Sequence, residues 1–218
     1  MGTENEPFAI AEALSSGWKT TRENAKPLLL LSLSSAAVAL LHQALARPHG
    51  YGDPVLLLML QAGQLALAML MAQAALRLHD GEPFELAKLG PMLKGYLTFF
   101  VSTLLCEMVV AFGLLLFIVP GVLWATRYCF APLLVLDRKL DPFAAMSESV
   151  RLTEGARGPL FGFGCALLGI NLLGLLCFGV GVVVTVPVSF VAAVHVMRRL
   201  QARAGELAAP DFTPVVSQ

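Results

Sequence analysis

The chain has 218 residues, of which 57% are hydrophobic and only 14% charged, against about 25% charged in a soluble domain. With a mean hydropathy of +0.74, this excludes an ordinary soluble enzyme, a disordered regulator and a secreted disulfide scaffold, and it marks an integral membrane protein. Fifteen Lys and Arg balance fifteen Asp and Glu, so no net basic field recruits nucleic acid.

Residues 1–7 are polar, with Glu4 and Glu6 and no basic stretch before an apolar run, which does not read as a signal peptide. Residues 8–24 are predicted to form an amphipathic helix. Phe8, Ala11, Leu14, Trp18 and Thr21 share its apolar face at helical spacing, and Trp18 suits an interfacial anchor. A membrane-spanning helix needs about 20 apolar residues, which 28–46 and 55–76 supply. Two longer apolar blocks follow, 96–136 and 160–197, each about twice one span. Each is punctuated near its middle, at Val119-Pro120-Gly121 and at Phe178-Gly179-Val180-Gly181. Proline lacks a backbone donor and glycine permits a sharp reversal, so Pro120, Gly121, Gly179 and Gly181 are expected at hairpin turns. The resulting spans are 96–118, 122–136, 160–178 and 181–197. The fourth is short and contains Pro132, which leaves a tilted or a partly re-entrant segment open. The expected fold is all-α: six transmembrane helices in three hairpins, one membrane domain over 1–203, and a disordered cytoplasmic tail over 204–218.

Charge placement orients this arrangement. Lys19, Arg22 and Lys26 precede the first span; Arg77, Lys88 and Lys94 follow the second. Arg138, Lys139, Arg151 and Arg157 follow the fourth, and Arg198, Arg199 and Arg203 follow the sixth. Thirteen basic residues therefore fall on one side and Arg47 alone on the other, the positive-inside pattern for two cytoplasmic termini. A second amphipathic helix is expected over 142–155, with Phe143, Met146, Val150 and Thr153 on a face. It is similar to the first: Ala13-Leu-Ser-Ser-Gly-Trp-Lys-Thr-Thr leads to Pro27-Leu28, and Ala145-Met-Ser-Glu-Ser-Val-Arg-Leu-Thr leads to Pro159-Leu160, 132 residues later throughout. Residues 83–95 form a weaker third copy. The unit is an interfacial helix followed by a two-span hairpin.

Several of these motifs occur together in a known pattern. Pro120-Gly121, Arg127, Pro132, Asp137 and Ala145…Ser149-Val-Arg-Leu-Thr-Glu-Gly155 are followed by Gly181-Val-Val-Val-Thr-Val-Pro187 and Arg199-Leu200. With Gly17-Trp18 in the first helix, they resemble the YciC-like bacterial inner-membrane proteins and the related membrane domain of some glycerophosphodiester phosphodiesterases. The resemblance covers about residues 8–200. It implies a six-span helical bundle in a bacterial inner membrane, without a phosphodiesterase catalytic domain, and it carries over little function.

Intramembrane ionisable residues are costly, which makes Glu107 and Arg127 candidates for a functional site. They sit on the two arms of one expected hairpin, but their side chains lean toward opposite membrane faces. Arg127 can snorkel or hold a contact inside the bundle, and Glu107 can be a protonated, hydrogen-bonded carboxyl or part of an ion path. Gln61, Gln64 and Asn171 either hydrogen-bond between helices or line a substrate cavity. His42 and His195 fall near opposite membrane faces, and His49 and His79 in loops, with no paired ligand spacing for a metal. Cys106, Cys129, Cys165 and Cys177 read as small packing residues. The crowded glycines from Gly162 to Gly181, and Ala62, Ala66, Ala68 and Ala72, allow close helix packing within one bundle or a dimer seam. No nucleophile elbow, phosphate loop or dinucleotide fingerprint is present, and no cofactor is expected. The expected function is non-enzymatic: organising lipids or binding a protein partner through cytoplasmic amphipathic helices. The alternative is a small-solute or ion transporter using the polar groups of the bundle.

Overall fold

A computed structural model describes residues 7–46, 53–82, 84, 95–177 and 180–208. Gly179 and most of the third repeat copy lie outside the described residues. The chain is all-α. Its described helices are α1 (Ile10–Glu23), α2 (Ala25–Leu45), α3 (Pro54–His79), α4 (Tyr96–Leu116), α5 (Ile118–Tyr128), α6 (Ala131–Arg138), α7 (Pro142–Thr153), α8 (Arg157–Leu176) and α9 (Val180–Ala208). Five of them, α2, α3, α4, α8 and α9, are long and apolar enough to cross a membrane, and the protein is a polytopic helical membrane protein. Residues 204–208, expected in an irregular tail, continue α9 as helix.

Helix boundaries follow local chemistry. Asp53 accepts a hydrogen bond from the Val55 N–H at 2.9 Å with Pro54 opening α3. Asp141 accepts from the Ala144 N–H at 3.2 Å with Pro142 opening α7. In both, a short carboxylate satisfies an N–H that the first helical turn leaves unpaired, and proline stands where no donor is needed.

The first long hairpin corrects the sequence expectation. Its reversal falls at Phe117, the one extended residue between α4 and α5, not at Pro120-Gly121. Both of those residues lie in the first turn of α5, where proline's missing donor costs nothing. Gly121 serves close packing instead. A Cβ there would lie 2.5 Å from the Leu114 side chain and 2.6 Å from its backbone nitrogen, and one on Gly113 would lie 2.8 Å from the Gly121 Cα. The last hairpin repeats the device: Gly181 is helical, and a Cβ on it would lie 2.6 Å from the Gly174 Cα.

The expected fourth span is divided. α5 and α6 meet at Cys129 and Phe130, and Pro132 sits in the first turn of α6. Proline offers the Tyr128 carbonyl no N–H; the Cys106 thiol faces that carbonyl at 3.9 Å. The neighbouring Arg127 carbonyl accepts the Ser149 hydroxyl at 2.8 Å. Side chains from α4 and α7 thus occupy the carbonyls at the kink.

The repeat is visible in the packing. Ala13, Gly17 and Thr21 are buried on α1, and Ala145, Ser149 and Thr153 on α7, at positions 132 residues apart. Leu28 and Leu160, the leucines after the paired prolines, are buried too. The inner face of α1 is therefore small-residued and turned from the expected one: Ala11 and Trp18 are exposed. A Cβ on Gly17 would meet the Val188 carbonyl oxygen at 2.7 Å, so α1 lies directly on α9. α7 packs on α6, α4 and α5. Each leading helix thus rests on the closing arm of a different hairpin.

Gly121→Ala should lower the thermal stability of the detergent-solubilised protein by several degrees, because the methyl group must push α4 from α5. Gly63→Ala, with nothing within 4 Å of its Cβ, should leave the melting temperature unchanged or raise it.

Candidate functional site

A dense charged cluster among the described residues joins the C-terminal ends of α3 and α6 to the second half of α9. Arg198 on α9 points its guanidinium between Asp80, the residue that caps the C-terminus of α3, and Asp137 in the last turn of α6. Nε and Nη2 donate to the two oxygens of Asp80 at 3.1 and 2.5 Å. Nη2 and Nη1 donate to the two oxygens of Asp137 at 2.7 and 2.9 Å. Nη1 also donates to Gln201 Oε1 at 3.0 Å, and Gln201 Nε2 donates to Asp137 Oδ2 at 3.2 Å. All five guanidinium donors are used. Both carboxylates are gripped bidentately, the strongest neutralising geometry a side chain offers.

A second clip lies one helix face away. Arg199 pairs with Glu12 of α1, and His195 Nε2 lies 3.8 Å from the same carboxylate. His195 also meets His79 of α3 edge to face, ring centroids 5.3 Å apart. On α7, Glu148 binds Arg138 at 2.8 Å and Arg151 at 2.7 Å. The Arg151 hydrogen bond above all, with the charges of both arginines, holds the Glu148 carboxyl below its ordinary value despite partial desolvation. A cavity of about 790 Å³ opens beside the Arg198 junction, lined among others by Arg77, Glu82, Thr98 and Lys139. Among the described residues no group of His, Cys, Asp and Glu has the proximity to hold a metal ion.

The intramembrane candidates do not gather. Gln64 Nε2 donates to Ser35 Oγ at 2.7 Å and joins α3 to α2. Asn171 donates through Nδ2 to Ser189 Oγ at 2.9 Å and accepts at Oδ1 from Thr185 Oγ1 at 2.9 Å, joining α8 to α9. Gln61 and Glu107 are exposed on their helices. Arg127 makes its contact through its carbonyl; its Nε is buried without a partner among the described residues, and no ion pair with Glu107 forms among them. Trp18 is 55% exposed on α1, beside Lys19. The expected turn residues Pro120, Gly121 and Gly181 are helical, as described above.

Sequence reasoning missed the Arg198 junction. A usable signal was present: Asp80, Asp137 and Arg198 each stand within four residues of the end of an even-numbered expected span, which places all three at one end of the bundle. Comparison of the chain with protein-family models, with curated proteins and with solved structures finds no match.

Arg198→Lys should destabilise the solubilised protein by about 2 kcal/mol, between the values for exposed and buried pairs, because an ammonium cannot span two bidentate carboxylates. Denaturant titration checks this, and Asp80→Asn should add little on top of Arg198→Lys if the three act as one unit. Glu148 supplies a pH test. Its depressed value means that its contribution is present above the ordinary carboxylate range and fades as pH falls through the folded-state value. The stability difference between the parent and Glu148→Gln should be constant from about pH 5 to 8 and shrink progressively as pH falls below the ordinary carboxylate range of about 4.

Proposed function

We propose that the chain is a non-enzymatic, six-span protein of a bacterial inner membrane that organises surrounding lipid or docks a partner through helices at its cytoplasmic end. α5 and α6 in succession, residues 118–138, would supply the fourth crossing; at 1.5 Å per residue they extend about 31 Å. The distribution of Lys and Arg supports placing the Arg198 junction, α1 and α7 on the cytoplasmic side. The YciC-like resemblance is in keeping with this placement.

The observation that carries the reading is the dispersal of the intramembrane polar groups. A solute pathway needs convergent polar side chains near mid-membrane. Here Gln64 and Asn171 each close a hydrogen bond within their own hairpin, and the kinked carbonyls of α5 are occupied by Ser149 and Cys106. The two leading helices, by contrast, present Trp18 and Phe143 outward, 55% and 70% exposed. Aromatic side chains at the surface of helices that also carry Lys19 and Arg151 suit the headgroup zone or an apolar partner surface.

Two measurements test this reading. Vesicles reconstituted with the protein should leak protons and potassium no faster than empty vesicles; a flux abolished by Glu107→Gln would favour transport instead. In a Trp124→Phe background Trp18 is the sole tryptophan. Its fluorescence should respond to quenchers attached at shallow depth in the lipid or to a bound partner, and quenching by aqueous iodide alone would count against the reading.

A further inference from the structure

An apolar groove of about 360 Å³ runs between α5 and α8, outside the charged end of the bundle. Its floor is made by Phe130, Leu160 and Phe163, all buried, and its rims by Phe161 and Leu168, 51% and 70% exposed. From Leu160 to Leu168 it extends about 12 Å along the helix. Gly164 lies in the lining, and a Cβ there would meet nothing within 4 Å, so the groove is open beside it. α8 is one of the helices long and apolar enough to cross the membrane, so the medium at the mouth of the groove is hydrocarbon.

A positive group stands one helical turn beyond one end of this groove, outside its lining. Arg157 opens α8, three residues before Leu160 and four before Phe161, and hence on the same helical face. Its Nε is buried and has no hydrogen-bond partner among the described residues. The N-cap residue Ala156 supplies no side-chain cap, which leaves the N–H groups of Arg157 and Gly158 without a side-chain acceptor; Pro159 has none to offer, and the Leu160 N–H is taken by the Ala156 carbonyl. A helical side chain leans toward its own N-terminus, which places Arg157 on the side of Leu160 away from the middle of the span.

We infer that this groove is a lipid site: it takes one acyl chain of an anionic phospholipid, whose phosphate is met by Arg157 and the N-terminus of α8. The apolar length accounts for the chain, and the Arg157 guanidinium, whose Nε has no partner among the described residues, with the uncapped N–H groups of Arg157 and Gly158 accounts for the negative headgroup. Basic pockets between membrane helices bind such headgroups on general electrostatic grounds. A groove of this volume, with aromatic and leucine rims standing proud of its floor, suits a single chain better than the face of a second protein. The site is independent of the function proposed above, since it requires only that α8 cross the membrane.

The test uses the full-length protein in detergent. Its melting temperature is followed on adding phosphatidylglycerol, phosphatidylcholine or inorganic phosphate, and retained lipid is counted by native mass spectrometry. Phosphatidylglycerol should be held about fivefold more tightly than phosphatidylcholine, and phosphate alone should do nothing. Arg157→Gln should remove the preference and leave a weaker, headgroup-indifferent effect. Gly164→Leu, which fills the open groove, should abolish the response to both lipids without lowering the lipid-free melting temperature. Equal responses to the two lipids in the parent, a preference retained in Arg157→Gln, or a response surviving Gly164→Leu would overturn the site as ordinary surrounding lipid. A shift produced by phosphate alone would overturn the acyl-chain component. If Gly164→Leu fails to fold, the outcome rests on the count: one tightly retained phosphatidylglycerol per parent chain, lost in Arg157→Gln, supports the site, and none retained overturns it.

Discussion

One guanidinium ties the ends of two helices to the flank of a third. Asp80 and Asp137 each sit at a helix C-terminus, where the backbone already presents negative partial charge and a carboxylate is unfavourable. Alone, each would repel its own helix end and the other acid. Arg198 reverses the sign of both interactions at once, using all five of its donors. The positions of α3, α6 and α9 relative to one another are therefore coupled through a single planar group, and a lysine would not do, because planarity sets the angle between the two acids. Little else in the bundle has directional force: lipid-facing helices meet through van der Waals contact and scattered hydrogen bonds.

Much of the architecture was legible in the sequence because the bilayer imposes it. Apolar length revealed α2, α3, α4, α8 and α9, and the copies at Ala13–Leu28 and Ala145–Leu160 revealed that α1 and α7 are equivalent. Boundaries were harder. Proline and glycine at 120–121 look like a turn, yet proline is equally at home in the first turn of a helix, and glycine is equally at home where two backbones nearly touch. Sequence alone does not distinguish these uses; the Leu114 side chain, seven residues upstream, decides which one applies. The side of α1 that packs on α9 was not legible for a related reason. In water the large apolar residues mark the buried face. Against a second helix at close range the small ones do, and Trp18 is left outside.

The charged junction was the hardest feature to read, because its members are 57 and 61 residues apart in sequence and each is unremarkable locally. Arg198 counts as one more basic residue on the cytoplasmic side until its partners are placed. Attention to rare intramembrane charges favours Glu107 and Arg127, but the structure does not bring them together: Glu107 faces outward, and Arg127 is tied to the kink by its carbonyl while its Nε has no partner among the described residues. The polar groups of lasting structural consequence are those at the helix ends.

The docking of α1 on α9 also has a consequence in time. Glu12 and its partner Arg199 are separated by 187 residues. Synthesis proceeds at roughly 5–20 residues per second, so α1 leaves the ribosome roughly 10–40 s before the surface against which it rests. Throughout that interval the Ala13–Gly17–Thr21 face is bare, and its small side chains give lipid and chaperones little to hold. α7 faces no such delay, since α4, α5 and α6 precede it. Two helices with the same sequence pattern thus stand at opposite ends of the assembly order, and a nascent chain arrested before α9 would carry α7 seated and α1 loose.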